Sequence, residues 1–219
     1  MKNSMLIALL LGSVVASSAF AGGLSGSVGV ASDYVFRGAS LSNNDPSIQG
    51  NVKYTLNNLT VGATATSVKN SGDDVELDAM INYNIPVTKD VSVDVGAISY
   101  NFPGVSSLQT TEYSVAGNLK FDNVTTQLKT SYSSDYFGSG KHSFYTEVNG
   151  TYQLPYGLIG VGHVGHLDLD GTSNKANDYK LGLNKQFTKN IVGELAWVDS
   201  NNLTLTPGKR WTVGAKYNF

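Results

Sequence analysis

From Gly23 onward the chain alternates apolar and polar residues with a period of two, segment after segment, and no other feature narrows its possible folds so far. Ile48, Gly50, Val52, Tyr54 and Leu56 interleave with Gln49, Asn51, Lys53 and Thr55. Val75, Leu77, Ala79, Ile81 and Tyr83 interleave with Glu76, Asp78, Met80 and Asn82, and Ile191, Gly193, Leu195 and Trp197 with Val192, Glu194 and Ala196. Successive side chains of a strand point to opposite faces, so each segment carries one apolar face and one more polar face. No segment sustains apolar residues at helical spacing, which excludes long amphipathic helices. Twelve segments start near residues 24, 47, 59, 74, 91, 110, 123, 142, 157, 177, 190 and 209. Most run for about ten residues, the length a tilted strand needs to cross a bilayer.

The connections sort by parity. Tight turns are expected at Asn57-Asn58, Pro86 to Asp90, Asp122-Asn123, Pro155 to Gly157 and Thr188 to Asn190. The intervening joins are mostly longer and more polar, as at Gly38 to Pro46, Asn101 to Gln109, Ser134 to Lys141, Asp168 to Ala176 and Asp199 to Gly208. Short turns at one end and longer loops at the other suit an outer-membrane barrel, whereas a soluble sandwich has no reason to sort its loops. The expected fold is therefore all-β: a transmembrane antiparallel up-and-down β-barrel of about twelve strands. Closure leaves no backbone group unpaired in lipid.

Aromatic residues cluster at both ends of these strands. Tyr54, Tyr83, Phe121, Tyr152, Phe187, Tyr217 and Phe219 fall at the turn end, expected to be periplasmic. Tyr34, Phe36, Tyr132, Phe144, Tyr179, Trp197 and Trp211 fall at the loop end. Two girdles of this kind mark the interfaces of a membrane barrel. At the C-terminus Trp211, Val213, Ala215, Tyr217 and Phe219 alternate out to a terminal aromatic, which looks like the closing-strand signal read by barrel-assembly machinery.

Residues 1–21 read as a signal peptide: Lys2 precedes the apolar run Met5 to Val15, and Ala19-Phe20-Ala21 offers a small-residue cleavage site. Residues 22–219 would then form the barrel, exported to the bacterial outer membrane with outer-membrane lipids as its surroundings. Fifteen basic against seventeen acidic residues give a net charge of −2, so no nucleic-acid footprint is expected. The absence of cysteine removes thiolate catalysis, zinc–cysteine sites and disulfides.

The stretch Ser32-Asp33-Tyr34-Val35-Phe36-Arg37-Gly38-Ala39-Ser40, continued by Asp45-Pro46-Ser47-Ile48-Gln49-Gly50, resembles the opening block of a proteobacterial family, the TorF-like or Gcw_chp group of porin-type proteins. Leu41 stands where that family's pattern has Gln. The resemblance implies an outer-membrane barrel with channel function.

By strand parity the inward charges are Asp33, Arg37, Lys53, Glu76, Asp78, Asp94, Glu112, Lys120, Lys129, Glu147, Asp168, Lys180, Glu194, Arg210 and Lys216, with Gln49 beside them. Eight acids stand against seven bases, a mixture without the one-signed ring of a strongly selective channel. The same parity turns Tyr34 and Phe36 outward and lets Arg37 fork onto Asp33 or loop carbonyls. The leading function is passive diffusion of small hydrophilic solutes or ions with weak selectivity. The alternative is a closed structural or loop-binding barrel, whose inward charges pair across the interior.

His163 falls on the same parity as Ile159, Val161 and Leu167, read as the lipid face, with Gly162 and Gly165 suggesting a bulge that re-aims it. His163 and His166 point to opposite faces and cannot share a metal. A lipid-facing Ser–His hydrolase is the third reading, but no serine or acid is well placed to complete it. Asp168-x-Asp170-Gly171 lacks the spacing and closing glutamate of a calcium loop. No catalytic residue, cofactor or metal is expected.

Overall fold

A computed structural model describes residues 23–70, 73–171, 175–201 and 208–219. The expected signal segment lies outside them. Fourteen strands are described: β1 (Gly23–Ala31), β2 (Val35–Phe36), β3 (Ala39–Ser40), β4 (Ser47–Leu56), β5 (Leu59–Asn70), β6 (Asp73–Pro86), β7 (Val91–Asn101), β8 (Thr110–Phe121), β9 (Val124–Ser133), β10 (Ser143–Leu154), β11 (Leu158–Leu169), β12 (Lys175–Gln186), β13 (Ile191–Ser200) and β14 (Arg210–Asn218). Twelve of them, β1 and β4 to β14, close into one barrel, each pairing with its sequence neighbours and β14 returning to β1. Every pairing in the wall is antiparallel.

The turns reflect local chemistry. Asn57 and Asp122 sit in left-handed conformations, at φ 53° and 50°, within the two-residue links of β4–β5 and β8–β9. Asn and Asp tolerate that region because their short side chains bond locally. Thr88 and Thr188 accept backbone N–H bonds in the four-residue turns 87–90 and 187–190.

The alternation resolves into an apolar outside and a mixed inside. Val52, Val61, Val95, Val115, Leu128, Val148, Leu181, Leu195 and Val213 are all exposed on the outer surface. So broad an apolar exterior far exceeds what a water-borne monomer shows and marks a surface that meets something apolar. Exposed Tyr54, Tyr83, Phe121, Tyr152, Phe187, Tyr217 and Phe219 ring the turn end, and Tyr113, Tyr132, Phe144, Tyr179 and Trp211 stand at the loop end. Trp197 pairs directly with Trp211 across β13 and β14.

Tyr34 and Phe36 depart from the sequence expectation. They do not face lipid. The loop 32–46 turns into the barrel, where Tyr34 and Phe36 pack on the cluster of Leu41, Val68, Tyr100 and Phe102. Strand parity holds only while a segment stays in the wall ladder, and β2 pairs with β3 alone.

The face of β11 is also reversed. Asn149 on β10 pairs with His163, and Tyr145 with Leu167, in an uninterrupted register without a bulge. His163 therefore shares the inner side with Asn149, and the buried Ile159, Val161 and Leu167 form an inward apolar stripe. Asp168 consequently points out and lies 3.7 Å from Lys175. The outer face of β11 includes Gly160 and Gly162, which offer no side-chain signal to read.

Candidate functional site

The loop-side mouth of the barrel is filled by its own first loop. Val35 pairs with Ser40 and Phe36 with Ala39, leaving Arg37-Gly38 as a two-residue turn. Both have positive φ, 47° and 75°, as a type I′ turn requires. Glycine is easy there, but arginine is an unusual first residue, because a bulky side chain resists the left-handed region. The turn places the Arg37 guanidinium at the innermost tip of the hairpin.

There Nη2 of Arg37 donates to Glu112 Oε2 on β8 at 2.7 Å, with both side chains buried. The guanidinium carbon lies 3.8 Å from the ring centroid of Tyr145 on β10, 4.8 Å from Phe36 and 5.6 Å from Tyr136. Gly38 fits because it has no side chain: a Cβ would stand 2.3 Å from that of Ser200. The Gly38 carbonyl accepts a bond from Ser200 Oγ at 3.0 Å.

The root of the loop is held independently. Asp33 pairs with Arg210 on β14 at 3.0 Å, and its other oxygen accepts from Ser40 and Ser42. Arg37 thus pairs through a single bond with Glu112, not with Asp33. Tyr34 Oη donates to Glu76 at 3.4 Å, and Leu41 O accepts from Lys69 N. Where the family pattern has Gln, Leu41 is buried in the apolar cluster.

The other sequence-selected residues occupy the inner wall below this plug. Gln49 Nε2 donates to Thr66 at 3.1 Å, and Lys53 lies on the same face of β4. Glu76 and Asp78 sit two apart on the inner face of β6. Asp94 accepts from Asn82, Asn84 and Asn118, a carboxylate held by three amides from the strands on either side of it. Lys129 lies 3.6 Å from Glu147, and Lys180 pairs with Glu194. Lys216 is buried on β14, whereas Lys120 is exposed at the turn end of β8. Trp211, Tyr217 and Phe219 are all exposed outside the barrel.

Sequence reasoning missed one cluster, His163, Asp178 and Tyr145. His163 Nε2 is 2.6 Å from Asp178 Oδ1 and its Nδ1 is 2.7 Å from Asn149 Oδ1, while Tyr145 Oη donates to Asp178. Glu147 accepts from the Asn149 amide, which leaves the Asn149 oxygen turned to the ring. The cluster supports Tyr145, on which Arg37 stacks. With Asp178 inside and Asp168 outside, the interior still balances eight acids against seven bases among the described residues. With His163 inward, the lipid-facing hydrolase reading has lost its base. Among the described residues no group of three His, Asp or Glu side chains is placed to hold a metal.

A family model matches residues 15–216. The chain belongs to the family described as "Bacterial protein of unknown function (Gcw_chp)". That agrees with the resemblance of the first hairpin. Among solved structures, this Gcw_chp member is similar in fold to the KdgM porin, with TM-score 0.64, 12% identity, and coverage of 89% of this chain and 99% of that one. It is similar to the NanC porin at TM-score 0.65 and 11% identity, covering 89% and 99%. An outer membrane channel from Pseudomonas putida F1 aligns at TM-score 0.55 and 14% identity, covering 92% and 96%. The shared feature is the porin-type barrel. No curated protein matches the sequence.

Proposed function

We propose that this Gcw_chp protein is a bacterial outer-membrane channel through which small hydrophilic solutes or ions diffuse passively and with weak selectivity. One observation carries the reading: a closed barrel with an apolar, aromatic-belted exterior encloses a polar interior of nearly balanced charge. Such a surface belongs in lipid, and a polar inner wall suits a hydrated path. Acids and bases in nearly equal number leave little net charge in the interior, so neither ion sign is strongly favoured. Likeness to porin structures supports the same direction. The surrounding lipids and, through Trp211, Tyr217 and Phe219, the barrel-assembly machinery are the partners this reading implies.

The test is single-channel recording of the 22–219 chain in planar bilayers. Stepwise currents with a reversal potential near zero in a salt gradient are expected. A steep reversal potential would refute weak selectivity, and silence from folded protein even after residues 33–45 are excised would refute the channel. A second reading, a closed barrel without transport, draws its support from the plugged mouth and the ion pairs within. In that case the excised barrel would stay silent while remaining folded.

A further inference from the structure

The wall around Arg37 has the makings of a seat for a planar cation, and in this structure the cation is part of the chain itself. Glu112 supplies a carboxylate at 2.7 Å, Tyr145 a stacking face at 3.8 Å, and Tyr136 a second ring at 5.6 Å. A buried carboxylate flanked by aromatic faces is the arrangement that holds guanidinium and alkylammonium groups, combining charge-assisted hydrogen bonds with cation–π attraction.

Several features make the occupant exchangeable. The hairpin is tied into the wall by few main-chain groups: Gly38 O from Ser200 Oγ, and Leu41 O from Lys69 N. Arg37 Nη1 is buried without a hydrogen-bond partner, which weakens the docked state. Arg37 also holds a left-handed φ, a further cost borne only while the turn is made. The root, by contrast, is anchored by Asp33–Arg210 and the apolar cluster. Arg37 makes the only ion pair at the tip among the described residues, beside the packing of Phe36 on Tyr100 and Phe137, so its loss is the change that most weakens docking there.

We propose that the seat formed by Glu112, Tyr145 and Tyr136 is a binding site for guanidinium-type cations, that Arg37 is its tethered occupant, and that its release undocks the plug. The proposal deepens the channel reading and rests on it for current measurements, but not for the labelling measurement below. A tethered group acts at an effective concentration of about millimolar, so a free cation at about tens of millimolar can fill the seat once Arg37 is removed.

The experiment uses the 22–219 chain with Ala39→Cys, which introduces a single thiol into a protein without cysteine. Ala39 is 0% exposed in the docked plug. Labelling by a membrane-impermeant maleimide is expected to be slow in that chain and at least tenfold faster after Arg37→Ala. Guanidinium chloride should then alter the Arg37→Ala chain, either slowing labelling or changing conductance at least twofold, where sodium chloride of equal ionic strength does not. Adding Glu112→Gln should abolish that guanidinium effect. In bilayers Arg37→Ala should raise conductance several-fold. Protection of the introduced thiol that is unchanged by Arg37→Ala would overturn the latch. A guanidinium effect matched by sodium, absent altogether, or indifferent to Glu112→Gln would overturn the site. Faster labelling without any current would uphold the latch and overturn the channel reading instead.

Discussion

Placing arginine at Leu128 asks whether the barrel wall faces lipid. Leu128 is 56% exposed and sits midway along β9, four residues from Tyr132 in the loop-end belt and four from Val124 at the turn end. At about 3.3 Å per residue and a tilt near 40°, four residues correspond to about 10 Å along the membrane normal. Leu128 is therefore near the middle of the apolar band, opposite outward-facing Gly117 and Val148 on the adjoining strands. Arginine at the midplane of a membrane barrel costs about 2–4 kcal/mol, which is about thirty-fold to several-hundred-fold in the folding equilibrium. Ser134→Arg, just beyond Tyr132 and exposed, is the control and should change stability by less than about 0.5 kcal/mol. Urea titration of the protein folded into lipid vesicles reads both, because Trp197 and Trp211 report insertion by fluorescence. A cost for Leu128→Arg no larger than that for Ser134→Arg would mean that this wall meets water, and the membrane argument would fall.

Gly165 lies under the Tyr145–Asp178 cluster, where a Cβ would stand 2.1 Å from Tyr145 Oη. Gly165→Ala should lower stability by about 1–3 kcal/mol, while Gly162→Ala, with open space outside, should be nearly neutral; equal melting shifts would contradict this packing. Asp33→Asn and Arg210→Gln should be coupled by about 1–3 kcal/mol in a double-mutant cycle, since each leaves the other's charge buried; additivity within about 0.5 kcal/mol would show that the pair does not anchor the loop. Phe219→Ser should slow insertion by purified barrel-assembly machinery several-fold while leaving the inserted barrel's urea midpoint nearly unchanged, and a normal rate would remove the C-terminal aromatic from the assembly signal.

Most of the wall was legible because a strand in a closed barrel obeys one local rule along its whole length. Each expected strand start lies within two residues of the observed one, from Gly23 to Arg210. The rule is silent wherever a residue leaves the ladder or has no side chain. Tyr34 and Phe36 continue the alternation in sequence, yet β1 ends at Ala31 and the loop turns inward. Nothing local distinguishes an aromatic residue that meets lipid from one that packs inside a mouth. On β11 the glycines at 160 and 162 emptied the outer face of signal, and the inner Ile159 and Val161 mimicked a lipid surface. The register with β10 decides that strand, because Glu147 and Asn149 alternate there without ambiguity. Arg37 carried a legible clue in its Arg-Gly turn, but its partner Glu112 is 75 residues away, beyond any spacing rule.

The junction of β1 with β14 bears on how such a chain is made. Ser27 pairs with Asn218, and Gly26 and Phe219 exchange main-chain bonds in both directions. Those partners stand 218 − 27 = 191 positions apart, whereas the other wall contacts join neighbours in the chain. The ring is therefore sealed only where β14 meets β1. Without that contact, β1 and β14 would each present an unpaired edge. Assembly must keep those edges from other chains until they meet, and β14 acts as the closing stave of a cask.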